Sequence, residues 1–265
     1  MLPPYVENPF SRFPIDSLRD VDAPDEGHPI FTTDQQRDFF AACNEWQRGI
    51  FQTLVTYGLR AGELTHLLIE NVDLGAGTIQ ICSKPELNWR VKTARRRQLP
   101  LTKEMKILFA QRIGDRSAGF VFLNDEFYSG LKCPVGEFRS DIGFREKLNN
   151  LASDLKSNGP TPTEKDCRRV VTAYCRRMGQ MPVKRVQLEF CKLTKATGCP
   201  QFTRAHNLRH LFSSRAQEEG LNPLLVQELL GHATLAMTKR YTHLGMDTKR
   251  EALERLTSDR SEEAH

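Results

Sequence analysis

Apolar residues recur along this chain mainly three and four positions apart, the spacing of a helix face. Phe39, Phe40, Cys43 and Trp46 follow that spacing behind Thr32-Thr33-Asp34, which reads as a helix start. A second helix is predicted from Ile50 to Tyr57, stopped by Gly58, with Arg60 in the break. A third runs from about Ala61 to Leu68, with Leu64, Leu67 and Leu68 inward. Thr78–Cys82 and Gln98–Leu101 are short β-type runs. The long basic connection between them predicts a hairpin-like sheet with a mobile tip. A helix over Lys103–Arg112 and a strand at Phe120–Leu123 come next. The pattern is faintest over 125–200, where helices are predicted at 137–151 and 163–178, split by the breaker Ser157-Asn158-Gly159-Pro160.

The last third is helical. Ala205–Glu219 is amphipathic and closes at Gly220. Asn222 caps and Pro223 opens a short helix ending at Gly231. Thr234 caps a helix carrying Tyr241, and a final helix covers about Thr248–Leu256. These elements add up to a mainly α-helical fold with a small antiparallel β-sheet. A folded domain is expected over 31–257, after an extended lead-in (1–30) and before a flexible C-terminal tail (258–265).

Composition narrows the possibilities. The 265 residues are 39% hydrophobic, enough to bury a core. Lys and Arg number 38 against 33 Asp and Glu, a net charge of +5. That balance permits a nucleic-acid partner without demanding one. Its distribution is more telling, because Arg90 to Arg97 holds five basic residues and no acid. The 7 cysteines are odd in number and none is spaced CxxC, which argues against a zinc knuckle and a disulfide scaffold. Reduced thiols in a cytoplasmic protein are expected. The N-terminus has no basic region followed by an apolar run, and no apolar run approaches the roughly 20 residues that cross a bilayer.

Three places carry candidate chemistry. In His206-Asn207-Leu208-Arg209-His210, positions i, i+3 and i+4 share a helix face, so His206, Arg209 and His210 project together. Their charges repel, and an anion between them would resolve the conflict; alone, the trio also reads as an ordinary polar face. Arg60 lies at a helix junction among glycines and apolar residues, where it needs an anionic partner. Glu63, three residues on, could brace it, or the two could form a purely structural pair. His232 follows a glycine stop, and Tyr241 lies between Arg240 and Thr242-His243; singly, both read as structural or surface residues.

Taken in order, these pieces resemble the tyrosine recombinase (phage integrase) family. The matching segments are TYGLRAGEL (56–64), VKTARRRQLPL (91–101), HNLRHLFSS (206–214) and LLGHATLAMTKRYTHL (229–244). The resemblance covers about residues 30–256, with the middle matched only by position. It implies that Arg60 and Arg209 clamp the scissile phosphate and that Tyr241 is the nucleophile. His206 would help accept the tyrosine proton or hold the phosphate, and His232 would donate to it. Lys92 in the hairpin would protonate the leaving 5′ oxygen, with Lys84 as the alternative acid. Glu63 and His210 would support the group. Arg90, Arg95, Arg96, Arg97 and Arg240 are expected to contact the DNA backbone, with a solvated charged turn as the alternative for the run 95–97.

The chemistry requires such a set. Attack makes an anionic phosphodiester more anionic, and preorganised cations stabilise that charge. A phenol of pKa about 10 is a poor nucleophile without a base or nearby positive charge. Two arginines can replace a metal ion, and no Asp/Glu/His cluster has metal-ligand spacing. The phosphotyrosyl bond conserves the energy of the broken linkage, so neither metal, ATP nor other cofactor is expected. The implied partner is double-stranded DNA, bound by four protomers that are monomers when free. Most relatives carry an N-terminal helical clamp domain, which is expected to be absent here, either because the natural protein is short or because this is an excised domain. Leu253 and Leu256 would pack either on a neighbour or within the chain. Rival readings are a type IB topoisomerase, a catalytically silent DNA-binding module and a plain interaction protein.

Overall fold

The computed structural model describes residues 29–92, 96–132 and 163–231, with residues 150, 250, 251, 253 and 254. The expected lead-in, the C-terminal tail and the helix at 137–151 (residue 150 apart) lie outside the described residues. Helix α1, Thr33–Ala41, starts where Thr32 and Gln35 exchange side-chain and backbone hydrogen bonds in a capping box. Helix α2, Glu45–Tyr57, starts earlier than its apolar pattern indicates, because Asn44 and Gln47 form the same device. Helix α3, Ala61–Thr65, stops short of Leu68. Leu68 instead pairs in an isolated bridge with Phe120.

Strands β1 (Val72–Asp73), β2 (Thr78–Ile81) and β3 (Arg97–Pro100) form one antiparallel sheet in the order β1-β2-β3. Ile79 faces Leu99 across the ladder, and Ile81 faces Arg97. Strand β1 was not expected from its sequence. The connection between β2 and β3 is not a loose tip over residues 84–89. Lys84 and Trp89 exchange backbone bonds of 2.9 and 3.1 Å around a 3-10 turn, Pro85–Leu87. The run Phe120–Leu123 is buried but joins no ladder; its bridges run to Leu68 and, through Leu123, to Gln180.

Helices α4 (Lys103–Ile113), α5 (Asp125–Tyr128), α6 (Glu164–Arg177), α7 (Val183–Ala196), α8 (Asn207–Glu218) and α9 (Pro223–Leu230) follow. Thr163 caps α6 as the breaker ahead of it suggests. The main core joins α1, α2, α7 and α8. Phe39, Phe51 and Phe190 meet edge-on or tilted, and Phe31 stacks on Phe202 at 3.7 Å. Leu253 is buried in this core, so that residue packs within the chain. A smaller cluster of Leu68, Leu87, Phe120, Leu123, Val171, Cys175 and Met178 fastens α6 to the Pro85–Leu87 turn. Cys43, Cys82, Cys175, Cys191 and Cys199 are free thiols, and no described helix is long and apolar enough to cross a membrane.

Candidate active site

The site begins at the break between α2 and α3. Gly58 ends α2 in the left-handed region at φ 57°, which suits glycine. A Cβ there would strike Leu230 and lie 2.8 Å from the Phe212 ring. The glycine therefore lets the α2–α3 turn press against α8 and α9. Two residues on, Arg60 occupies the N-cap of α3 in extended backbone. Glu63 accepts from the Arg60 backbone N–H at 3.0 Å and from its Nη1 at 3.4 Å. Arg60 and Glu63 thus pair, with the Arg60 side chain 23% exposed and that of Glu63 1%.

Glu63 has a second and closer partner. Arg97 donates from Nη1 at 3.0 Å and from Nη2 at 2.7 Å to its two oxygens. Burial alone would raise the Glu63 pKa, but the Arg97 bonds and charge and the Arg60 N–H outweigh it and hold the carboxyl below its usual range. The expectation that Arg97 touches DNA is corrected here. Its side chain is 5% exposed, its fork is spent on Glu63, and its Nε donates to the Leu229 carbonyl at 2.9 Å. All three of its guanidinium nitrogens are engaged within the protein. Arg90 and Arg96 are exposed, as a backbone contact requires.

Arg209 enters from α8. It is 4% exposed, donating from Nη1 to the Gly58 carbonyl at 2.7 Å and from Nη2 to the Leu230 carbonyl at 2.9 Å. The structure thus brings Arg209 to the very turn that carries Arg60. His206 precedes α8 and is exposed; its ring meets that of half-buried His210 edge-on at 4.8 Å. Helix α9 ends at Gly231, in the left-handed region at φ 69°, immediately before His232.

The hairpin separates the two candidate acids. Lys84 is buried, with Nζ 3.3 Å from the Cys82 carbonyl and 5.6 Å from the centre of the Trp89 ring. Lys92 is exposed, just past buried Val91, whose N–H donates to Ser83 Oγ at 3.0 Å. Trp89 also stacks on His66, with ring centres 4.7 Å apart and planes 10° apart. This contact between hairpin and α3 was not foreseen; the paired aromatic side chains at 66 and 89 were its only signal. His66 Nδ1 lies 2.8 Å from the Gly62 carbonyl.

Burial pushes the His66 imidazole down to about 4, against the raising effect of the Gly62 bond. A folded pKa below the unfolded one means that the unfolded chain takes up the proton first. The stability tied to neutral His66 is complete above about pH 6.5 and is lost as pH falls towards 4. Between pH 7 and 4.5, wild type is expected to lose roughly 2 kcal/mol more than His66→Phe, which stacks without titrating. Urea unfolding of both proteins at the two pH values measures this, and parallel losses would refute it.

His232, Tyr241, Arg95 and Arg240 lie outside the described residues.

Residues 29–248 match the model of the phage integrase family. Among curated proteins, the tyrosine recombinase XerC of Pelobacter propionicus is 24% identical over 200 residues, covering 76% of this chain and 48% of its own length. XerC of Thermodesulfovibrio yellowstonii is 24% identical over 231 residues, covering 87% and 56%. The chain spans about half the length of these relatives. Among solved structures, XerA recombinase aligns with TM-score 0.49 and 17% identity over 93% of this chain and 70% of its own. The Tn1549 transposon integrase, solved with a circular intermediate DNA, aligns with TM-score 0.44 and 19% identity over 92% and 70%. A family match over residues 29–248, a span that includes Arg60, Lys92, His206, Arg209, His232 and Tyr241, makes this chain a member of the phage integrase family.

Proposed function

We propose that the chain is the catalytic part of a site-specific DNA recombinase that cuts and rejoins strands through a 3′-phosphotyrosyl bond to Tyr241. The observation that carries this reading is the seating of Arg60 and Arg209 on one turn. Arg209 holds the Gly58 carbonyl, and Arg60 follows two residues later, braced by Glu63. Two guanidiniums so placed can take the non-bridging oxygens of one phosphate, and their planar forks suit it. Rigid support matters because preorganised donors stabilise developing charge without reorganising.

In the proposed reaction the Tyr241 oxygen attacks phosphorus, and the bond from phosphorus to the 5′ oxygen breaks. His206 takes the phenolic proton or holds the phosphate, and His232 donates to it. Lys92 protonates the departing 5′ oxygen. The exposure of Lys92 supports it over Lys84, whose ammonium is packed on Trp89. A 5′ hydroxyl from a second strand then reverses the attack and releases the tyrosine. Double-stranded DNA is the substrate, with four protomers on two sites. Arg90, Arg95, Arg96 and Arg240 are the proposed backbone contacts.

The test uses suicide duplexes, nicked so that the 5′ fragment escapes, tiled across the DNA that borders the reading frame. The expected product is an SDS-resistant adduct whose DNA-bearing peptide contains Tyr241. An adduct on another residue, or none on any duplex, would overturn the reading.

A further inference from the structure

Arg97 stands next to Arg95 and Arg96 in sequence, yet its side chain points into the protein. Its bidentate pair with Glu63 is one half of a chain of contacts, and the Glu63 bonds to Arg60 are the other half. Its Nε meets the Leu229 carbonyl, while Arg209 takes the adjacent Leu230 carbonyl. A helix leaves its last carbonyls without internal partners, and its C-terminus favours cations. Two arginines from different elements therefore seat the end of α9, the last turn before His232. The fit is close: a Cβ on Gly231 would lie 2.8 Å from Arg97 Nη1 and 3.1 Å from its Cδ.

We infer that Arg97 is a positioning residue that sets Arg60, through Glu63, and the C-terminal end of α9, through Leu229, in one fixed relation to Arg209. The inference rests on the strand-exchange reading above. Arg97 does not reach DNA; it acts through the groups that do. Lys cannot replace it, because one ammonium cannot make the bidentate pair and reach the Leu229 carbonyl together.

The test is single-turnover adduct formation by Arg97→Lys on the trapped duplex, with DNA affinity measured separately. The expected result is a rate about 100-fold lower with affinity changed less than about threefold, as for loss of one aligned charge donor. A second duplex carries a neutral methylphosphonate at the scissile position, which asks less of Arg60. There the penalty should shrink to about tenfold or less, whereas general loosening of the fold would slow both duplexes equally. If Arg97→Lys fails to fold by circular dichroism, Glu63→Gln interrupts the same contacts at their middle and should give the same pattern. Wild-type rates in the folded variant, or equal penalties on both duplexes, overturn the role of Arg97. Absence of any adduct with the wild-type chain instead overturns the parent reading.

Discussion

Arg209→Ala is expected to lower the rate of adduct formation by about 10³-fold or more, and to destabilise the fold by roughly 2–4 kcal/mol. Both effects come from one side chain. Truncation strips donors from the Gly58 and Leu230 carbonyls and empties a buried volume between α2, α8 and α9. A buried acceptor left unsatisfied costs about 1–3 kcal/mol. In the proposed site, truncation also removes one of two positive charges on the phosphate. Arg209→Lys separates the two. It keeps the charge but cannot span both carbonyls, so it should recover much of the stability and still cleave about 10²-fold more slowly than wild type. Urea unfolding and suicide-duplex kinetics on the three proteins measure both quantities. Wild-type cleavage by Arg209→Ala would remove the clamp from the mechanism.

The elements around Arg209 were legible because the local signals agree. Gly58, Gly220, Asn222 and Gly231 mark ends that the structure keeps, and all three glycines take positive φ. The basic run was misread for a reason of register. Arg95, Arg96 and Arg97 look alike, but β3 begins at Arg97, and side chains alternate across a strand. Arg97 therefore shares the inward face of Leu99, while Gln98 points out. Starting the strand one residue earlier would have exposed the conflict between charge and face. Helix α7 was missed although Val186, Phe190 and Leu193 are spaced as a helix face requires. Pro182 ahead of it reads as a breaker in sequence and serves as its N-cap in the fold. The Phe120–Leu123 run shows the opposite error: burial alone supplied the apolar residues, with no ladder to join.

Glu63→Ala is the second large expected loss, about 3–5 kcal/mol of unfolding free energy. The carboxylate is 1% exposed and faces Arg97, itself 5% exposed, at 2.7 Å. Removing it strands a guanidinium that cannot shed its charge. It also takes the acceptor from the Arg60 N–H that opens α3. Acid should act in the same direction. The folded pKa of Glu63 lies below its unfolded value, so its stabilisation is present above about pH 4.5 and disappears as pH falls through the folded value. The decisive comparison is the double variant Glu63→Ala/Arg97→Met. If the loss comes from the stranded charge, removing that charge should restore roughly 1–3 kcal/mol relative to Glu63→Ala alone. Additive losses in urea unfolding would show instead that each side chain contributes through separate packing, and that the contacts linking Arg60 to Arg97 hold no joint energy.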